Sequence, residues 1–172
     1  DTYLDRGPEV LAFLRDNTPI RLTWVPEYAD YLPEQPGGRA RGRSVEPMPL
    51  DGNVIGDELK RLHPPYTKAP ANMVVLQQEF RPMSLGMRTI KGPLTILKVL
   101  LRRIAAIVRR QHLFGMGAAL TIAMRKGLSD AGVPVIYDTE LTGLLTEGDR
   151  VTGVRVCHEG TDAIITARRG VI

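Results

Sequence analysis

A chain of 172 residues is one domain's worth of polypeptide, or one piece of a larger domain, and is long enough to bury a core. Apolar residues at 43% and charged residues at 24% exclude disordered, collagen-like and coiled-coil classes, while aromatics at only 5% make any core aliphatic. A net charge of +4 is too mild to imply nucleic-acid binding without a concentrated patch, and the single cysteine, Cys157, excludes an internal disulfide framework and a Cys-based zinc site.

The chain opens on Asp1-Thr2-Tyr3-Leu4-Asp5, with no initiator Met, no basic start and no apolar run of signal-peptide type. It closes inside an apolar run at Arg168-Arg169-Gly170-Val171-Ile172, so an excerpt from a longer, cytoplasmic polypeptide is expected. No run of about 18 uncharged apolar residues is present, and stable membrane insertion is not expected.

Pro8 followed by Glu9-Val10-Leu11-Ala12-Phe13-Leu14-Arg15 predicts a short helix, because proline suits a first turn and Val10, Phe13 and Leu14 share a face. Asn17-Thr18-Pro19 ends it, and Ile20 to Val25 predicts a strand bounded by Pro19 and Pro26. Residues 26–51 are rich in proline and glycine and lack any apolar period. Tyr28, Tyr31, Arg39, Arg41, Arg43 and Glu46 crowd this stretch, which favours a binding loop over a bland linker.

Gly56 to Leu62 predicts a short helix, and residues 66–93 an irregular stretch with one extended candidate, Met73-Val74-Val75-Leu76. The clearest helix runs from Leu94 to Gln111, with Leu97, Leu101, Ile104 and Val108 as its apolar stripe and Lys98, Arg102, Arg103, Arg109 and Arg110 largely off it. Packing of that stripe into a core is expected over adsorption to a membrane surface, since no Trp or Phe anchors it. Gly115 to Ala131 predicts another helix, with Leu120, Met124 and Leu128 at four-residue spacing and Gly132 as its cap. A buried strand at Val133–Tyr137 should follow, then a three-stranded meander turning at 147–150 and 158–162.

Few of the chemistry-bearing residues form a recognisable constellation. Gly115-Met116-Gly117 opens like a dinucleotide fingerprint, but Leu120 stands at the third glycine and a helix is expected before it instead of a strand. His63, His112 and His158 are scattered, so no metal site is expected, and His158 reads as a turn residue. Arg39-Ala40-Arg41-Gly42-Arg43 could clamp an anion through bidentate hydrogen bonds or could be solvated surface. Tyr28 and Tyr31 could each polarise or protonate a carbonyl, or could simply pack the loop.

From Gly115 to Ile172 the order of helix, "AGV", "DTELTGLL", an acidic glycine turn, "RVTGVRV" and "ITARRGVI" resembles the flavoprotein superfamily of fumarate reductase and succinate dehydrogenase. Upstream, "YLDRGP", "FLRDNTP" and "YADYLPEQPGGRARGRSVEP" resemble the 3-ketosteroid dehydrogenase branch of that superfamily. The resemblance implies an α/β fold with α+β character, part of a Rossmann-like FAD-binding domain: a helical N-terminal half, a parallel strand and an antiparallel meander. Residues 1–172 would be its middle portion, without the GxGxxG unit, the cap domain and the segment that closes over the flavin, and would bind FAD weakly or not at all alone.

The implied reaction is FAD-linked dehydrogenation of a flat apolar ketone such as a 3-ketosteroid. A base takes a proton, a hydride passes to flavin N5, and a tyrosine hydroxyl stabilises the enolate-like charge. The family's substrate-facing tyrosine falls in the 26–51 loop, where relatives often carry two adjacent tyrosines; here Tyr31-Leu32 leaves the choice between Tyr28 and Tyr31 open. The backbone at Thr139-Glu140-Leu141 is implied to meet the adenine edge, and Arg43 to contact substrate. Two rivals stand: a fumarate reductase-like enzyme whose Arg39, Arg41 and Arg43 bind a carboxylic acid, and a non-enzymatic module binding partners or membrane through its basic helix.

Overall fold

The computed structural model describes residues 2–64 and 70–172. They divide into two compact units, one running to Gly132 and the other Val133–Ile172. Helices and strands together give the chain the expected α/β character, with every described helix in the first unit, although every strand pair among the described residues is antiparallel.

The first unit opens with α1, Thr2–Asn17, longer than the sequence predicts because Pro8 sits inside it. Thr18 closes α1 by donating its hydroxyl to Leu14 O at 2.6 Å. β1 (Leu22–Val25) pairs with β2 (Ser44–Pro47), so the 26–51 segment ends in structure: the irregular part is 26–43 and β3 (Leu50–Asp51) follows directly. The short helix predicted from Gly56 to Leu62 is a 3-10 segment that begins earlier, Gly52–Arg61, and is kinked at Gly56. Met73–Leu76 joins no ladder and leads into α2, Gln77–Leu85, which the sequence conceals behind Gln77-Gln78-Glu79 and an internal Pro82.

α3 spans Lys91–Val108, and its packed face reverses the expectation. Gly92, Val99 and Ala106 are buried, whereas the predicted stripe is exposed, from 47% at Ile104 to 77% at Val108. Small residues let α3 approach α2 closely, and Arg102 enters on the same side to meet a buried carboxylate. After α3 comes β4 (Leu113–Phe114), paired with β3, and then α4, Met116–Asp130. α4 buries Ala119, Ile122 and Ala123 against the Gly52–Arg61 segment, β2 and β3, displacing the Leu120 and Leu128 row the spacing had favoured. Complete burial of Ile122 stabilises the unit by about 1.5–3 kcal/mol relative to exposure.

The second unit is a meander of β5 (Thr139–Glu147), β6 (Arg150–His158) and β7 (Thr161–Thr166) in the order β5-β6-β7. Its turns fall where the sequence places them. Gly148 at φ 59° supplies the positive φ that a two-residue hairpin between Glu147 and Arg150 requires at its first central position. The expected parallel strand at Val133–Tyr137 forms no ladder among the described residues, because no neighbouring parallel strand is there to pair with it. No helix among the described residues is long and apolar enough to cross a membrane.

Candidate functional site

The loop 26–43 between β1 and β2 is tied into a defined shape by its own polar groups. Tyr28 donates its N–H to Val25 O at 3.4 Å and accepts from Gly42 N at 3.2 Å, while Asp30 N donates to Arg39 O at 3.0 Å. Asp30's carboxylate accepts from Arg39 N at 2.8 Å and from Arg43 Nε at 3.2 Å, and forms a second, shorter bond with Arg43 Nη2. Arg43 also donates to Gly37 O at 3.1 Å. The Arg43 guanidinium, then the Arg39 N–H, holds the Asp30 carboxyl below the usual aspartate range.

Gly42 completes the closure. Trp24 donates Nε1–H to Gly42 O at 3.0 Å and lays its ring so close that a Cβ at position 42 would stand 3.2 Å from Cζ2. Gly42 also holds φ at 80°, a conformation that favours glycine. The result presents the two tyrosines unequally: Tyr31 is 96% exposed and Tyr28 37%. Both phenols therefore stand on one short, braced loop.

Two of the three arginines already have side-chain partners within the loop, which their sequence does not reveal. Arg43 is committed to Asp30 and Gly37 O, and Arg41 lies 3.7 Å from Glu27. Direct capture of an anion by the whole cluster would require these bonds to break.

Beneath the loop, β2 contributes buried Glu46, whose carboxylate accepts from Gln77 N at 2.8 Å at the start of α2. Glu79 then reaches back to Leu76 N at 3.0 Å, one half of a capping box. Its other oxygen meets Lys98 Nζ at 3.1 Å and Arg102 Nη2, while Arg102 Nη1 donates to Val74 O at 2.9 Å. Burial pushes Glu79 up, but the bonds from Arg102, Leu76 N–H and Lys98 outweigh it and leave its pKa below the ordinary glutamate value. These residues hold α2 and α3 together, a role with no sequence signature beyond an i, i+4 pair of cations at 98 and 102.

In the second unit, Thr139, Glu140 and Leu141 open β5, the outer strand of the sheet, and pair with His158, Cys157 and Val156. One side of this strand carries no ladder among the described residues, so backbone donors and acceptors there suit a planar ligand with hydrogen-bonding edges. Thr139 Oγ1 donates to Tyr137 O at 2.8 Å and therefore accepts from His158 Nδ1 at 2.9 Å. His158, expected in a turn, instead ends β6 and fixes the first residue of this edge. A phosphate cradle is not found at Gly115–Gly117: β4 does precede it, contrary to expectation, but β4 pairs antiparallel with β3 and so builds no dinucleotide-binding crossover.

The FAD binding domain family matches residues 1–172. The chain belongs to that family. It is 50% identical over its full length to a 3-oxosteroid 1-dehydrogenase of Mycolicibacterium smegmatis and 45% identical to one of Mycobacterium tuberculosis strain H37Rv. It spans 31% of the length of each of these relatives. Among solved structures, 3-ketosteroid delta1-dehydrogenase from Sterolibacterium denitrificans, in complex with 1,4-androstadiene-3,17-dione, superposes with a TM-score of 0.87 at 29% identity. The match takes in 99% of this chain and 32% of that one. The open β5 edge offers backbone donors and acceptors of the kind that an adenine ring pairs with, and the described residues contain no phosphate-cradling glycine loop.

Proposed function

We propose that this chain is the middle portion of a flavin-dependent 3-oxosteroid dehydrogenase, in which the 26–51 segment faces the substrate. What supports it most is the 50% identity to a 3-oxosteroid 1-dehydrogenase running through the tyrosine loop and the meander alike. Introducing a C1–C2 double bond into a 3-ketosteroid removes one proton and one hydride. FAD, when bound, supplies the hydride acceptor.

The chain's own contribution is to the carbonyl end. A phenol of the loop, Tyr28 or Tyr31, donates a hydrogen bond to the substrate's ketone oxygen, where negative charge develops as the proton leaves. Their rigid mounting gives that bond its value, because a donor held in place costs no reorganisation during the reaction. Arg43 serves substrate through the loop, by bracing it at Asp30. Thr139, Glu140 and Leu141 offer backbone groups to the adenine, with the Thr139–His158 bond keeping the strand end in register.

The remaining two-thirds of the polypeptide would supply the pyrophosphate loop, the base and the cap. The exposed stripe of Leu97, Leu101, Ile104 and Val108 on α3 would then be covered by that remainder. A cytoplasmic setting belongs to the same proposal, with Cys157 as a free thiol. The test is to incubate the full-length polypeptide, loaded with FAD, with a 3-oxosteroid saturated at C1–C2 and an artificial electron acceptor. Accumulation of the 1,4-diene, such as 1,4-androstadiene-3,17-dione, is expected; reduction of dicarboxylate acceptors without steroid turnover would move the reading to the fumarate reductase side.

A further inference from the structure

Outside the tyrosines themselves, the group with the most connections in the loop is Asp30. It stands between Tyr28 and Tyr31 in the sequence, and its side chain is only 21% exposed although the loop is superficial. Through one carboxylate it gathers the N–H of Arg39 and two nitrogens of Arg43, and its own N–H binds Arg39 O. Arg43 extends the clamp to Gly37 O. Residues 30, 37, 39 and 43 are thereby fixed to one another, and the short arm from Tyr28 to Tyr31 is fixed with them.

We infer that Asp30 is a positioning residue: with Arg43 as its partner it sets the orientation of the tyrosine that meets the substrate ketone, without touching substrate itself. The inference rests on the reading of the loop given above and adds to it the device that holds the phenol in place. Without the clamp, the loop keeps its backbone bonds, among them Gly42 N to Tyr28 O, Asp30 N to Arg39 O and Gly38 N to Gln35 O, together with the Trp24 to Gly42 O bond and the looser Arg41–Glu27 pair. Tyr28 stays anchored near β1, but the arm carrying Tyr31 is held by one backbone bond at Asp30 and by the turn at Gln35, whose N–H reaches Leu32 O at 3.2 Å. A phenol displaced by about 1 Å costs up to about 100-fold in rate, which is the scale expected here.

The experiment uses the full-length, FAD-loaded polypeptide with Asp30→Asn, Asp30→Glu, Tyr28→Phe and Tyr31→Phe. Steady-state kcat and KM with a 3-oxosteroid are read beside limited trypsin digestion, in which mass spectrometry follows cleavage after Arg39 and Arg41. Asp30→Asn keeps the volume and removes the charge that binds Arg43. The expected result is faster cleavage at both arginines and a kcat lowered about 10- to 100-fold while KM moves far less, with Asp30→Glu recovering part of both.

Three results would overturn the inference. Asp30→Asn could leave kcat unchanged while the loop opens to trypsin, which would reduce the clamp to a purely structural brace. It could lower kcat with no change in cleavage, which would place Asp30's effect elsewhere than loop geometry. Full turnover in both tyrosine variants would remove the reading of the loop itself and the positioning role with it, an outcome distinguishable from the others because Asp30 is then intact.

Discussion

The two units are held together by different physics. In the first, helices α2 and α3 meet over Glu79, Arg102 and Lys98, α4 meets the Gly52–Arg61 segment over Arg125 and Glu58, and the tyrosine loop closes over Asp30 and Arg43. In the second, a backbone ladder does the work: β5, β6 and β7 pair in register, and Val156 is the sole apolar side chain of that unit among the buried ones described. A ladder tolerates side-chain replacement that a buried ion pair does not, since removing one charge leaves the other buried and unpaired. The first unit is therefore where single substitutions should act most strongly, and it is also where the candidate substrate loop is mounted.

The largest effect is expected at Glu79. Glu79→Ala leaves Arg102 buried beside Val74 O without its carboxylate, and should cost about 3–5 kcal/mol in urea unfolding of the chain. The sign of its pH dependence follows from its lowered pKa. The stabilisation is complete above the ordinary glutamate range and is lost as pH falls through the lower folded value. Acid titration of the wild type should show that loss, and Glu79→Gln should flatten it; an unchanged acid limb in Glu79→Gln would show that the stability lies elsewhere.

A smaller effect is expected in the apolar core of the same unit. Ile122→Val removes one methylene from a fully buried site on α4 and should cost about 0.5–1.5 kcal/mol in the same assay. In the meander, Gly148→Ala forces a Cβ onto a residue at φ 59° and should cost about 1 kcal/mol, visible as a shift in the unfolding midpoint. Equal or greater loss at Gly148 than at Glu79 would invert the comparison between the units.

The smallest effect sharpens the comparison from the other side. Leu101→Gln lies on the exposed stripe of α3 and should change the stability of this chain by about 0.5 kcal/mol or less. Had the stripe formed the core, as its period suggests, the same change would be among the most damaging. A loss of several kcal/mol would restore the packing inferred from periodicity.

That stripe also shows what the amino-acid pattern can and cannot say. The meander was legible because alternating residues and Gly148 and Gly160 turns are local signals that need no partner beyond the next strand. α3 and α4 were legible as helices for the same reason, while their buried faces were not. Periodicity reports every apolar surface of a helix, whether it is covered by α2 or by β2 and β3, or is left exposed. α2 escaped notice because nine residues containing Pro82 carry too little period, and the packing that stabilises it comes from distant residues, Glu46 and Arg102. At the loop, composition marked Tyr28, Tyr31 and the arginines, but nothing in the order of residues shows that Arg43 closes on Asp30.

Whether a phenol of this loop acts on the ketone decides the role of residues 26–43. Anaerobic mixing of the FAD-loaded, full-length polypeptide with a 3-oxosteroid, followed by flavin absorbance, measures hydride transfer free of later steps. Flavin reduction should slow by about 100-fold or more in one of Tyr28→Phe and Tyr31→Phe, the loss expected of a transition-state hydrogen-bond donor. Reduction at the wild-type rate in both variants would contradict the assignment of the loop to catalysis.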